Sequence, residues 1–142
     1  MKKLVLISVA MFTLSVCAAG KMGFKSYVEK DFTNMKTNAT DTTLDNCVKT
    51  RYTSMSNFVS TVLTSNLNNV KTVVKNYCNG KTVEKPYSVE TFTYKGTPYN
   101  NALVLRTTDV PTKCPATGTT VNNPGDRWFF AKEECSGIDF SL

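Results

Sequence analysis

The sequence predicts an α+β domain: two or three N-terminal helices, then a three- to four-stranded antiparallel sheet, stabilised by disulfides. Three observations carry this. Apolar residues recur at helical spacing from Phe24 to Tyr77. After Pro86 the pattern turns to short β-branched and aromatic runs divided by turn residues. Four cysteines are spread over both halves behind an apolar leader. The chain has 142 residues, enough for one small domain.

Residues 1–19 read as a secretory signal peptide, leaving 20–142 as a single domain. Lys2 and Lys3 form a positive start, Leu4 to Val16 an apolar run, and Cys17-Ala18-Ala19 a small-residue cleavage region. That run is shorter than the roughly 20 residues needed to span a bilayer, and no later segment is a transmembrane candidate. Leu14-Ser15-Val16-Cys17 also resembles a bacterial lipobox. That resemblance implies a periplasmic or envelope protein anchored by a lipid on Cys17. Val16 departs from the small residue the pattern requires.

The first helix is expected over about Phe24 to Lys36, with Phe24, Tyr27, Val28, Phe32 and Met35 on one face. Asn38-Ala39-Thr40 is a candidate glycosylation site at Asn38, expected in a loop. Thr42 and Asp45 fit a capping box opening a second helix, whose face holds Leu44, Val48, Tyr52 and Met55. Phe58, Val59, Val62, Leu63, Leu67, Val70, Val73, Val74 and Tyr77 continue the stripe. Asn79-Gly80 is a left-handed stop.

Strands are expected at Ser88 to Tyr94, Ala102 to Thr107, Thr119 to Val121 and Arg127 to Glu134. Lys95-Gly96-Thr97-Pro98 is turn chemistry. The central apolar run of Ala102 to Thr107 suits an inner strand. On the last strand Trp128 and Phe130 face one way and Phe129 the other.

With Cys17 in the leader, Cys47, Cys78, Cys114 and Cys135 remain, and export makes two disulfides the expected state. Asn123-Pro124-Gly125-Asp126 reads as a β-turn. A hairpin about it places Cys114 opposite Cys135, leaving Cys47 for Cys78. A straight helix would hold those two about 46 Å apart, against the roughly 7 Å a disulfide tolerates. Either the helix breaks, at Thr53 to Asn57, or the pairing is crossed. The uncrossed pairing is slightly favoured.

The chain holds 17 Lys+Arg against 11 Asp+Glu, a small basic protein. Loss of Lys2 and Lys3 leaves 15 against 11, a net charge of +4. The charges are scattered, without the basic stripe of a nucleic-acid binder. Histidine is absent, which excludes His triads and His metal ligands. No C-x-x-C spacing supports a metal or redox centre. No catalytic residue, metal or cofactor is assigned. Adjacent Glu133 and Glu134 point to opposite faces if they lie on a strand. Glu29 with Asp31 reads as a solvated face. Glu90 and Glu134 are a pair that a sheet would have to bring together.

Aromatic residues crowd the strand half, and Tyr94, Tyr99 and Trp128 form the candidate contact patch. Such a patch suits an extracellular protein, glycan or lipid partner. The expected function is therefore a secreted extracellular binding protein. The alternatives are a small secreted hydrolase using carboxylates and the lipid-anchored envelope protein.

The leader, the four cysteines, the helix-then-strand order and a late Trp between Cys114 and Cys135 are loosely similar to secreted cystatins. That family's inhibitory loop contains Gln, and this chain has none. The long helical first half and the first two cysteine positions also depart. The helices-then-sheet order is equally similar to NTF2-like domains, which range from enzymes to binding scaffolds.

Overall fold

A computed structural model describes residues 20–94, 96–107 and 127–142. The expected signal peptide with Cys17, Cys114, the strand expected at Thr119 to Val121 and the turn expected at Asn123 to Asp126 lie outside these residues. The order is β1 (Met22–Gly23), α1 (Phe24–Ala39), α2 (Asn46–Thr61), a π-helical turn (Val62–Asn66) and α3 (Leu67–Cys78). Then follow β2 (Ser88–Tyr94), β3 (Thr97–Thr107), β4 (Arg127–Phe130), a 3₁₀ helix (Lys132–Gly137) and β5 (Ile138–Asp139). Three helices thus precede an antiparallel sheet in the order β2-β3-β4. Among the described residues no helix is long and apolar enough to cross a membrane.

The helical stripe packs as its spacing requires. Phe24 and Val28 of α1, Met55 and Val59 of α2, and Val70 and Val74 of α3 are fully enclosed. They meet Leu103, Leu105, Trp128 and Phe130 from one face of the sheet. Val48 and Tyr52 form a smaller cluster with Leu44, Met35 and Ala39. That contact accounts for α1 running three residues past Lys36: Ala39 reaches its partly buried place in this cluster only if the last turn stays helical. Asn38 therefore sits in the helix rather than in a loop.

The second helix begins at Asn46, with Asp45 as its N-cap and no side-chain capping bond. Thr42 is not the cap. Asp41 takes the local donors instead, accepting from the Thr43 backbone N–H (2.9 Å) and hydroxyl (2.7 Å). This Asx turn competes with helix for residues 41–45. Helix also continues unbroken through Thr53 to Asn57, where Thr53 and Ser56 hydroxyls donate to backbone carbonyls at Lys49 and Thr53. The irregularity falls later, in the π turn.

Because the helix does not break there, the uncrossed disulfide pairing fails. Cys78 bonds to Cys135 instead, with Cα atoms 5.7 Å apart. Cys47 is also in a disulfide, with a partner outside the described residues. Helix α3 stops as predicted. Gly80 takes φ +79°, and the N–H groups of Gly80 and Lys81 donate to the carbonyls of Tyr77 and Asn76. This is a Schellman end.

The hairpin between β2 and β3 is tighter than the turn residues suggested. Tyr94 pairs with Thr97, and Gly96 takes φ +82°. Pro98 is tolerated in β3 because β4 pairs only with Leu103 to Thr107, so its missing N–H breaks no ladder bond on that side. β3 carries two register shifts, one opposite Thr91 and one at Leu105. At the first, Asn101 adopts φ +56° and its carbonyl accepts a 2.7 Å hydrogen bond from the Tyr77 hydroxyl. The bulge thereby fastens the sheet to the end of α3.

The final strand stops at Phe130, and Glu133 and Glu134 lie in the 3₁₀ helix. Three ties hold that segment. Cys135 is bonded to the end of α3, and Lys132 Nζ donates to the Tyr77 carbonyl at 2.8 Å. β5 pairs in parallel with β1, at the entrance to α1.

Candidate functional site

Tyr27, Asp31, Asn34, Met35 and Asn38 recur at three- and four-residue spacing along α1, beside the Phe24–Val28 stripe that enters the core. They line one wall of a cavity of about 270 Å³. The facing wall is Tyr94, Tyr99 and Arg127 to Phe129, with Tyr52 from α2 and Glu134 from the 3₁₀ helix. The volume lies just below the roughly 300–1,000 Å³ usual for small-ligand sites.

Alternation along β4 builds the aromatic wall. Trp128 and Phe130 turn into the core, and Phe129 turns to the opposite face. There its ring is met edge-on by Tyr99 at 4.9 Å, Phe92 at 5.1 Å and Tyr94 at 5.2 Å. Arg127 covers Phe92 at 4.8 Å and makes a 2.8 Å ion pair with Glu90. The Ser88 hydroxyl and this ion pair hold the Glu90 carboxyl below its ordinary range. Glu90 is thus committed to Arg127 and is not the partner of Glu134.

The carboxyl groups that share the cavity are Asp31 and Glu134. Asp31 accepts a 3.1 Å hydrogen bond from the Trp128 indole N–H. Burial raises its titration above the ordinary range, opposed by Trp128 and by the charge of Lys30. Glu134 is exposed as a residue, yet its carboxyl turns inward to accept the Tyr27 hydroxyl at 2.5 Å. Desolvation raises it too, reinforced by the negative charges of Asp31 and Glu133. Tyr27 is pushed up by burial and by its bond to Glu134.

Of the sequence-predicted site residues, Tyr94, Tyr99, Trp128 and Asn38 line this one cavity. Trp128 is not an exposed contact, being 2% exposed and packed on Phe58 and Phe130. Tyr94 and Tyr99 are half-buried rather than a bare patch. Asp31 leaves the solvated face assigned to it because α1 turns that side toward β4. Its spacing from Tyr27, Asn34 and Asn38 was the available signal. Glu134 had none, since its place depends on Cys135 reaching Cys78. Among the described residues no group of three Asp, Glu or Cys side chains converges to hold a metal ion.

Compared with protein-family models, curated proteins and solved structures, the chain gives no significant match to any of them.

Proposed function

We propose that this protein is a secreted extracellular binding protein that holds a small ligand in the cavity between α1 and the aromatic wall. One observation carries the reading: half-buried rings at Tyr27, Tyr94, Tyr99 and Phe129 converge with the carboxyls of Asp31 and Glu134 on a single concavity. Rings supply broad apolar contact, and a few fixed polar groups supply orientation. The leader and the Cys78–Cys135 disulfide support an oxidising, extracellular setting. Of the two loosely similar layouts, the cystatin-like one brings no inhibitory loop, for want of Gln. The NTF2-like binding-scaffold layout accommodates a helix-to-sheet cavity.

The test is a ligand screen by backbone amide NMR on the exported, oxidised protein, using soluble glycans, short-chain lipids and amines. Shift changes centred on Tyr99, Phe129 and Asn38, lost in Tyr99→Ala, are expected. A ligand recovered with the native protein that maps to another surface would sink this reading.

A second reading, a small hydrolase using carboxylates, draws on the same two groups. A general acid needs a carboxyl held above its ordinary range, and burial does this to both Asp31 and Glu134. It predicts turnover that disappears in Asp31→Asn and Glu134→Gln while the fold persists.

A further inference from the structure

The two cavity carboxyls are satisfied as hydrogen-bond acceptors but not as charges. Their close partners are the Trp128 indole N–H and the Tyr27 hydroxyl, both neutral donors. Among the described residues neither Asp31 nor Glu134 makes an ion pair. The cation on the cavity wall, Arg127, is spent on Glu90 and on the face of Phe92. Lys30 acts on Asp31 only through its charge, from the neighbouring position on α1. An anionic guest would meet two carboxylates. A neutral guest would leave their charge uncompensated in partly desolvated surroundings, which is costly. A positive guest resolves this, and the rings that line the cavity offer contact to its apolar part.

We infer that the ligand of this cavity carries an organic ammonium group, held by Asp31 and Glu134 with its apolar part against Tyr99 and Phe129. The inference rests on the cavity being the ligand site, as proposed above. It also gives binding a pH dependence. The charged and titratable groups around the two carboxyls are each other, Lys30 and Tyr27 on α1, Tyr52 on α2, Tyr94 on β2, Tyr99 on β3, Arg127 on β4 and Glu133 beside Glu134. Burial raises both carboxyls despite Trp128, Lys30 and the Tyr27 hydrogen bond. A cationic guest favours their ionised forms, so it displaces protons and binds more tightly as pH rises above the carboxylate range.

The experiment uses the exported, oxidised protein and five probes: benzylammonium, benzyltrimethylammonium, benzyl alcohol, benzoate and methyl glucoside. Affinity is read from amide shifts of the cavity residues. One of the two ammonium probes is expected to bind at least tenfold more tightly than benzyl alcohol. That ratio should rise from about pH 5 to about pH 7 and fall toward one in Asp31→Asn. Glu134→Gln, at the exposed rim, gives the same reading should Asp31→Asn fail to fold. Benzyl alcohol, benzoate or methyl glucoside binding in the cavity as tightly as the ammonium probes would overturn the inference and leave the cavity as a ligand site. Failure of all five to shift Tyr99 or Phe129 at millimolar concentration would overturn both.

Discussion

The indole N–H of Trp128 donates to Asp31 across 97 residues of sequence, at 3.1 Å. It joins the first helix to β4 and fixes the cavity wall where it meets the core. Trp128 gives its ring to the core and its one polar atom to the cavity, so one substitution there tests both.

Replacing Trp128 by Ala should cost about 3–5 kcal/mol, in the range of large core truncations. Trp128→Phe keeps much of the packing but removes the donor, and about 1–3 kcal/mol is expected. Tyr99→Ala removes a half-buried ring and should cost only about 1 kcal/mol. Urea unfolding of the three variants checks the order, which reverses if Tyr99 rather than Trp128 anchors the fold.

Asp31 should make the protein less stable as pH rises. Its folded pKa lies above its unfolded value, so between those values the native state holds the proton more firmly. Stability from this group is present below the unfolded pKa and falls as pH climbs to the folded one. Glu134 acts in the same direction. Glu90, whose pKa is depressed, acts in the opposite one: its contribution is present at neutral pH and fades on acidification. Asp31→Asn keeps an acceptor for Trp128 without the charge. Its melting temperature should exceed that of the wild type at pH 7, with the gap closing near pH 3–4. An equal gap at both pH values would refute the assignment.

Non-reducing proteolysis should yield a peptide pair joining Cys78 to Cys135. The bond closes a sequence separation of 57 residues, for which chain entropy gives about 4 kcal/mol. A Cys78→Ser, Cys135→Ser double variant should lose about 3–4 kcal/mol by chemical denaturation. It should also loosen the 3₁₀ helix that carries Glu134. Recovery of Cys78 linked to Cys47 would contradict the Cys78–Cys135 bond.

At the β3 bulge, Tyr77→Phe strips the 2.7 Å hydrogen bond from the Asn101 carbonyl and should cost about 1–2 kcal/mol. Asn101 itself is exposed, at φ +56°. Asn101→Gly should be neutral within about 0.5 kcal/mol, and Asn101→Val should cost about 1–2 kcal/mol, because a β-branched residue resists left-handed backbone. Thermal unfolding of the pair distinguishes backbone strain from loss of the asparagine side chain.

Local pattern was enough for the main helices and the β2-β3-β4 strands, but not for their ends: the helical irregularity falls at Val62–Asn66 and β4 stops at Phe130. Apolar residues at threes and fours between Phe24 and Tyr77 predicted two or three helices and their buried faces, because one stripe must leave water whatever it packs against. Gly80 and Gly96 marked two chain reversals, since left-handed φ costs glycine least. Alternation on β4 sorted Trp128 and Phe130 from Phe129 without knowledge of what lay on either side. The pairings across the molecule were decided only in three dimensions. Asp31 became a cavity residue because α1 packs beside β4. Glu134 joined it because Cys135 bonds to Cys78 and β5 pairs with β1. Glu90 was withdrawn by Arg127. Spacing along a chain specifies which side of an element is apolar. Which carboxyl meets which donor depends on how whole elements dock, and that rests on contacts between residues 37 to 107 positions apart.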